Sequence, residues 1–315
     1  MMFRMKRLDE KNLFCKIAGL LILALSLPGV TSANKDTVSG AEEESDQQIN
    51  DFSLAGYGER GKKTWEIFGK SADIFKDIVK LKQVVGNLYD EKENIKLTAD
   101  KGDFDKEKGM VHLEQNVIIT TSGGAKLTTD SLHWDRLNQL VSTKDKVNIE
   151  RQDMHLVAQG ASGRPDLNEV VLEKDVQMNI LPAEQASGGS TKAQETIITC
   201  DGPLQIDYQK NVATFNNNVK VDRQGMQISS DIMEVYFITS SGEKEPSPQV
   251  QDASMPLGGK IDKIVARGNV KITRGENVSY SEEATYSALD KKIILSGRPK
   301  LIIYSKGDTD ASSGN

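Results

Sequence analysis

A strand-like alternation that returns about every thirty residues constrains this chain more than any other feature. From Asn94 it is plain: Leu97-Thr98-Ala99-Asp100 leads through Val111 and Leu113 to Gln115-Asn116-Val117 and Ile119. The same order returns as Leu127-Thr128-Thr129-Asp130, Leu132 and Trp134, then Asp145-Lys146-Val147 and Ile149. It returns again as Val157-Ala158-Gln159-Gly160, then Lys174-Asp175-Val176, Met178 and Ile180. Asp100 to Asp130 is 30 positions, Val117 to Val147 is 30, and Val147 to Val176 is 29. Apolar residues at every second position give a strand one buried face. A fixed period makes each repeat a unit that stacks on its neighbours. Each period therefore predicts two antiparallel strands joined by tight turns.

The pattern resumes after 183–194, a small, polar, Gly-rich stretch that reads as a linker. Thr199-Cys200-Asp201-Gly202-Pro203 leads to Leu204, Ile206, Tyr208, Ala213, Phe215, Asn217-Asn218-Val219 and Val221. Met226, Ile228, Ser230-Asp231, Met233, Val235 and Phe237 follow. An insertion at 240–259 with three prolines interrupts the train. Residues 260–304 are the most regular part, with short strands separated at Arg267-Gly268-Asn269, Arg274-Gly275-Glu276-Asn277, Leu289-Asp290-Lys291 and Ser296-Gly297-Arg298-Pro299. The region from Trp65 to Leu88 alternates less cleanly. Residues 71–85 also score as a helix, and the strand reading is preferred because the segments after it are strands.

The Asp closing each Thr-Ala-Asp element is expected at a strand end, capping a turn. No catalytic or metal role is expected for it. His112, His133 and His155 stand about 20 residues apart, which is no local ligand spacing. No nucleophile elbow and no Cys–His signature occurs. The stretch 56–63, GYGERGKK, nearly matches a phosphate-binding loop, but Lys63 stands where Ser or Thr is needed and no strand is expected before it. It reads as a flexible approach to the first strand. Cys15 and Cys200 are too few for a disulfide framework, and Cys200 reads as a small buried hydrophobe. No cofactor or metal is implied. A net charge of −6 leaves no electrostatic footprint for nucleic acid.

Residues 1–33 read as a signal peptide or membrane anchor. Arg4, Lys6, Arg7, Lys11 and Lys16 form a basic head, Ile17 to Leu27 is an apolar run, and Thr31-Ser32-Ala33 is a small-residue cleavage site. The run is shorter than the roughly 20 residues a spanning helix needs. The uncleaved anchor stays open, because uncharged Val30 to Ala33 extend the run. Residues 34–56 are polar and acidic and read as a disordered spacer. The remaining divisions are one β domain at 57–182, the linker, a second β domain at 195–305, and a loose tail at 306–315.

The repeated order of Leu-x-Ala-Asp, a short charged turn and Leu-x-x-Asn-Val-x-Ile resembles the OstA-like repeats of bacterial lipopolysaccharide-export proteins. Residues 65–180, centred on GDFDKEKGMVHLEQNVIITTSGGAKLTTDSLHWD, are similar to the periplasmic domain of LptC. Residues 198–304, with CDGPLQIDYQKNVATFNNNVKV, SDIMEVYF and ARGNVKITRG, are similar to LptA. The resemblance implies an all-β architecture of two twisted antiparallel jelly rolls, stacked end to end, with an apolar trough for acyl chains and no enzymatic activity. It implies lipopolysaccharide as ligand. The implied partners are inner-membrane export transporter components and an outer-membrane translocon with an OstA-like periplasmic domain. Head-to-tail self-association and a periplasmic location, with a possible inner-membrane tether, are also implied. Two departures stand out: the apolar segment is short for an LptC anchor, and LptC-like and LptA-like parts share one chain. Asn and Gln also replace Gly before the Asn-Val pairs at 115 and 217, which Asn tolerates in a left-handed conformation.

Residues at the inward positions of each repeat are the implied groove. In the first part these are Val111, Leu113, Val117, Ile119, Leu127, Leu132, Trp134, Val147, Ile149, Val176 and Met178. In the second they are Leu204, Ile206, Phe215, Val219, Val221, Ile228, Met233, Val235, Val270, Ile272, Ile293 and Leu295. Each methylene entering such a groove contributes about 0.8 kcal/mol, so a chain is held without a specific pocket. A structural or adhesive repeat protein is the competing class; its interior would be packed shut by residues such as Trp134 and Phe215. A secreted enzyme on a strand-repeat scaffold is the third and needs a carboxylate cluster inside the groove.

Overall fold

Seventeen strands and no α-helix make up the described residues of the computed structural model, which are 45–58, 61–89, 94–135, 137–151, 154–164, 169–181, 195–238 and 260–304. The first nine are β1 (Gln47–Tyr57), β2 (Lys63–Ile74), β3 (Ile78–Leu88), β4 (Ile95–Asp105), β5 (Met110–Thr121), β6 (Lys126–Asp135), β7 (Leu140–Arg151), β8 (Met154–Arg164) and β9 (Glu169–Ile180). The rest are β10 (Thr196–Cys200), β11 (Leu204–Asp207), β12 (Val212–Arg223), β13 (Met226–Ile238), β14 (Lys260–Arg274), β15 (Asn277–Ser287), β16 (Lys292–Ser296) and β17 (Lys300–Ile302). All belong to one antiparallel sheet in which each strand pairs with the next along the chain, except that β10 and β11, and likewise β16 and β17, pair side by side with the same neighbours. β10 and β11 are two halves of one bent strand: both pair with β9 on one side and β12 on the other. β16 and β17 share β15 in the same way.

One face of this sheet is apolar, and it must be covered. The sheet covers itself, because its strands bend in the middle. β5 is continuous from Met110 to Thr121, yet its register with β4 and β6 shifts between Glu114 and Val117. The extra residue of such a bulge bends the strand without ending the ladder. Gln115 and Asn116 take φ of 64° and 52° there, Asn217 and Asn218 the same pair of values in β12, and Gly268 and Asn269 take 74° and 48° in β14. Each corner is followed by a fully buried valine: Val117, Val219 and Val270. The two arms of every bent strand thus enclose a common interior, and a single hydrophobic cluster runs from Trp65 to Ala284. The strands are those the alternation predicts, and the all-β roll is the one the resemblance implies.

The corners correct the sequence reading. Gln115-Asn116, Asn217-Asn218, Gly268-Asn269 and Gly297-Arg298 do not join separate short strands by hairpins; they bend long ones or split one into two arms. Asp100 and Asp130 accordingly lie inside β4 and β6, not at strand ends. True hairpin turns carry a different signature. Asp105 accepts from the Lys108 backbone N–H at 2.9 Å, Asp135 from that of Asn138 at 3.0 Å and Asp207 from that of Lys210 at 2.9 Å. The period of about 30 is two such long strands plus their turns.

Two further readings change. The acidic spacer expected at 34–56 contains β1, which pairs with β2 from Gln47↔Ile74 to Tyr57↔Lys63. Phe52 and Leu54, two apart, pack against the core and hold it there. Gly58, whose backbone N–H donates to the Lys62 carbonyl at 2.9 Å, lies at the closed end of that hairpin, so the Gly-rich stretch does not approach a first strand. Gly56 lies under an indole ring, where an added Cβ would sit 1.9 Å from Trp65 Nε1. Residues 71–85 are strand throughout, apart from the 75–77 turn between β2 and β3. The signal or anchor segment, the linker, the insertion and the tail lie outside the described residues.

Candidate functional site

The interior face is built by position in the strand rather than by any local cluster. In the first half the inward residues are closed off: Val111, Leu113, Val117, Ile119, Leu127, Leu132, Trp134, Val147, Ile149, Val176 and Met178 are all buried. Burying each such side chain stabilises the fold by about 1.5–3 kcal/mol. Trp134 and Phe215 are among the largest fully buried side chains, so they fill their parts of the roll.

In the second half the interior opens strand by strand. One cross-strand row runs Ala213↔Val235↔Ile264↔Tyr286↔Ile293 through β12 to β16. Ala213 and Val235 are buried, Ile264 and Tyr286 are half-buried, and Ile293 is 48% exposed. On the other side of the corner the row Val221↔Ile228↔Ile272↔Ser279↔Leu301 ends at 58% exposure. Leu204, Ile206, Phe215, Val219, Met233 and Val270 are buried, while Val221, Ile228, Ile272 and Leu295 pack against the core from its rim. All these inward positions therefore line one face, and Ile293 lies on that face but uncovered at the edge. The last arms, β16 and β17, have no strand beyond them among the described residues.

The interior is continuous between the halves. Leu172 of β9 and Leu204 of β11 pair and are both wholly buried, and Met178 pairs with Ile198 of β10. A row at the corner runs on from Val176 to Cys200, a buried thiol whose pKa is pushed up by burial.

The outward face is polar. Arg267 bridges β13 and β15, donating to Glu234 at 2.6 Å and Glu283 at 3.0 Å. A cleft of about 450 Å³ lies on this outward face, lined by Thr199, Lys220, Asp222, Gln227, Ser229 and Lys271 among others. Val221 and Ile228, two of the residues expected in the trough, also contribute to its lining.

Sequence reasoning missed three features of the site. His112 and His133, 21 positions apart, are brought side by side as a cross-strand pair with ring centroids 4.0 Å apart. Burial and then His112 hold His133 below its ordinary 6.5. Among the described residues no group of three or more His, Cys, Asp or Glu is placed to hold a metal. The buried aliphatic residues between the named ones, such as Ile95, Val141 and Leu156, were legible from the same period but were not singled out. The inward hydroxyls Thr129, Thr143, Ser230 and Ser281 were hidden because they read as polar.

The chain matches known families along most of its length. Residues 16–181 match the family model described as lipopolysaccharide-assembly, LptC-related. Residues 202–315 match that of the LptA/(LptD N-terminal domain) LPS transport protein. No curated protein matches. Among solved structures, LptH, the LptA homologous periplasmic component of the conserved lipopolysaccharide transport device from Pseudomonas aeruginosa, aligns at 11% identity with a TM-score of 0.20, over 67% of this chain and 95% of that one.

Proposed function

The chain belongs to the LptC-related lipopolysaccharide-assembly family, with an LptA/LptD N-terminal LPS transport domain after it, and on that premise we propose that its interior carries the acyl chains of lipopolysaccharide between membranes. The observation that carries the reading is the apolar face that continues through the β9–β10/β11 junction and emerges uncovered at Ile293 and Leu301. An amphiphile seated there keeps its acyl chains against β13–β17 and its polar head in water. Binding spread over many weak apolar contacts suits a conduit, because no single site traps the lipid.

The unpaired edge of β16 and β17 offers backbone groups to a strand of the next component towards the outer membrane. The basic head and apolar run at the N-terminus direct export to the periplasm, and the LptC-related match begins at residue 16, immediately before that run. The inner-membrane transporter is then the partner on the LptC-like side. No chemistry is assigned to the protein; it moves its ligand without altering it.

A photoreactive residue at Val270, Leu301 or Val117 tests this in cells. Crosslinks to lipopolysaccharide at Val270 and Leu301 are expected. A second reading, a structural repeat protein that assembles through edge strands and carries no lipid, is favoured by the closed packing around Trp134 and Phe215. Crosslinks to protein at Leu301 with none to lipid at any of the three positions would establish it instead.

A further inference from the structure

The interior of the second half contains two buried hydroxyls that have no hydrogen-bond partner among the described residues. Each corner valine faces a hydroxyl residue across the ladder: Val117 pairs with Thr129, Val219 with Ser230, and Val270 with Ser281. In the first half the hydroxyls satisfy each other, with Thr129 Oγ1 and Thr143 Oγ1 3.3 Å apart. Ser230 and Ser281 do not. They are 4% and 9% exposed, and their Oγ atoms have no hydrogen-bond partner among the described residues. Ser230 lies on β13 and Ser281 on β15, the two strands that flank β14 and its Val270, and Ser281 pairs with Val270 directly. The two orphan hydroxyls thus lie on the strands either side of the one that carries Val270.

A buried hydroxyl without a partner destabilises a fold, and native proteins rarely leave one. The chain has a simple way to avoid it. The residue before the corner acid is Ala99 in β4 and Cys200 in β10, both buried. Serine at the same place, before Asp231 and Glu282, keeps a donor where alanine would be quieter. Both serines belong to strands whose interior rows open towards the free edge.

We propose that Ser230 and Ser281 donate hydrogen bonds to oxygen carried on the acyl chains of the bound amphiphile, as hydroxyl or ester carbonyl. The inference rests on the acyl-chain reading above and sharpens it. The first half of the interior holds any apolar chain, and the second half selects chains that bear oxygen. The two serines are specificity-determining residues. Hydrocarbon carried past them leaves both hydroxyls unpaired, whereas an oxygen-bearing chain satisfies them.

The test uses the full chain, its Ser230→Ala and Ser281→Ala variants, and the double variant. The probes are a hydroxy fatty acid and the plain fatty acid of the same chain length, measured by displacement of a fluorescent fatty acid. A hydrogen bond of this kind is worth roughly two- to tenfold in affinity. The native chain is expected to prefer the hydroxy acid by about that factor or its square. Each single variant loses part of the preference and the double variant loses all of it, with affinity for the plain acid unchanged and a urea midpoint equal to or above the native one. A native chain that binds both acids equally, or a double variant that keeps the preference, overturns the inference and leaves acyl-chain binding intact. Failure of both acids to bind the native chain overturns the inference and the acyl-chain reading together.

Discussion

The side-chain amide of Asn116 donates to the Asp100 carboxylate at 2.6 Å, across one strand and sixteen residues back. The same rung recurs as Asn269 to Asp231 at 2.9 Å and, more loosely, Asn218 to Asp201 at 3.4 Å. In each case the asparagine sits at positive φ, its amide ties the outer side of the corner, and the next residue is the buried valine on the inner side. One residue type thus does two things: it tolerates the left-handed backbone and bonds the neighbouring strand.

The two contributions separate by substitution. Asn116→Gly keeps the backbone free and removes the bond, and is expected to cost up to about 1 kcal/mol. Asn116→Val also forces a branched side chain to φ of 52°, adding about 1–2 kcal/mol. Urea unfolding followed by circular dichroism ranks them. Equal midpoints for the two variants would mean that the bend does not depend on the left-handed residue.

Val117→Asp and Val270→Asp place a charge where the native residues are 0% and 1% exposed. Each is expected to remove several kcal/mol, a large share of a typical domain's stability. Lys220→Asp, one residue from Val219 on the outward face, is expected to stay within about 0.5 kcal/mol. Thermal melting of the three variants checks the register. A mild effect at Val117 with a severe one at Lys220 would mean that the faces are exchanged, the signature of a one-residue slip.

The inward face was legible because its period survives the corner. In β5 the buried residues Val111, Leu113, Val117 and Ile119 all have the same parity, so the two arms read as one alternating train. What the alternation does not distinguish is a bend from a reversal. Gln-Asn and Gly-Asn suit both a hairpin and a bulge, because each supplies left-handed conformations. Only the pairing partner decides, and that lies on another strand. The interior hydroxyls escaped for a related reason: Ser230 and Ser281 are recognised as inward only through Val219 and Val270 opposite them. The stacked His112 and His133 likewise depend on hairpin register, which twenty intervening residues conceal.

Stability is expected to fall in two stages as pH falls. His133 is held below its ordinary 6.5 by burial and by His112. Its folded value is therefore the lower one, and the unfolded chain takes up the proton first. Stability drops as pH falls through 6.5 towards the folded value. Asp105 and Asp135 are held below 3.8, chiefly by the backbone N–H groups of Lys108 and Asn138. Their contribution is present above 3.8 and is lost as pH falls through their lower folded values. Urea midpoints measured from neutral pH downwards trace both stages. His133→Asn removes the first and leaves the second; persistence of the first stage in that variant would assign it to another group.

The junction between the halves gives the last prediction. β9 continues the ladder in both directions, with β8 on one side and the β10 and β11 arms on the other. Thr196↔Ile180, Ile198↔Met178 and Cys200↔Val176 pair on one arm, and Leu204↔Leu172 on the other. Backbone groups at the end of one unit are thereby satisfied by the start of the next, and the apolar side chains beneath them are buried together. A covalent connection of a dozen or so residues keeps these strands at high effective concentration, so even a modest interface stays closed. The backbone amides of this pairing are expected to exchange with solvent only in large unfolding events, as slowly as those of β5 and β12. Hydrogen exchange on the intact chain, resolved by proteolytic fragments, measures this directly. Fast exchange at 176–180 and 196–200, with β5 and β12 still protected, would make the halves independent beads, and lipid would have to hop between them rather than slide through.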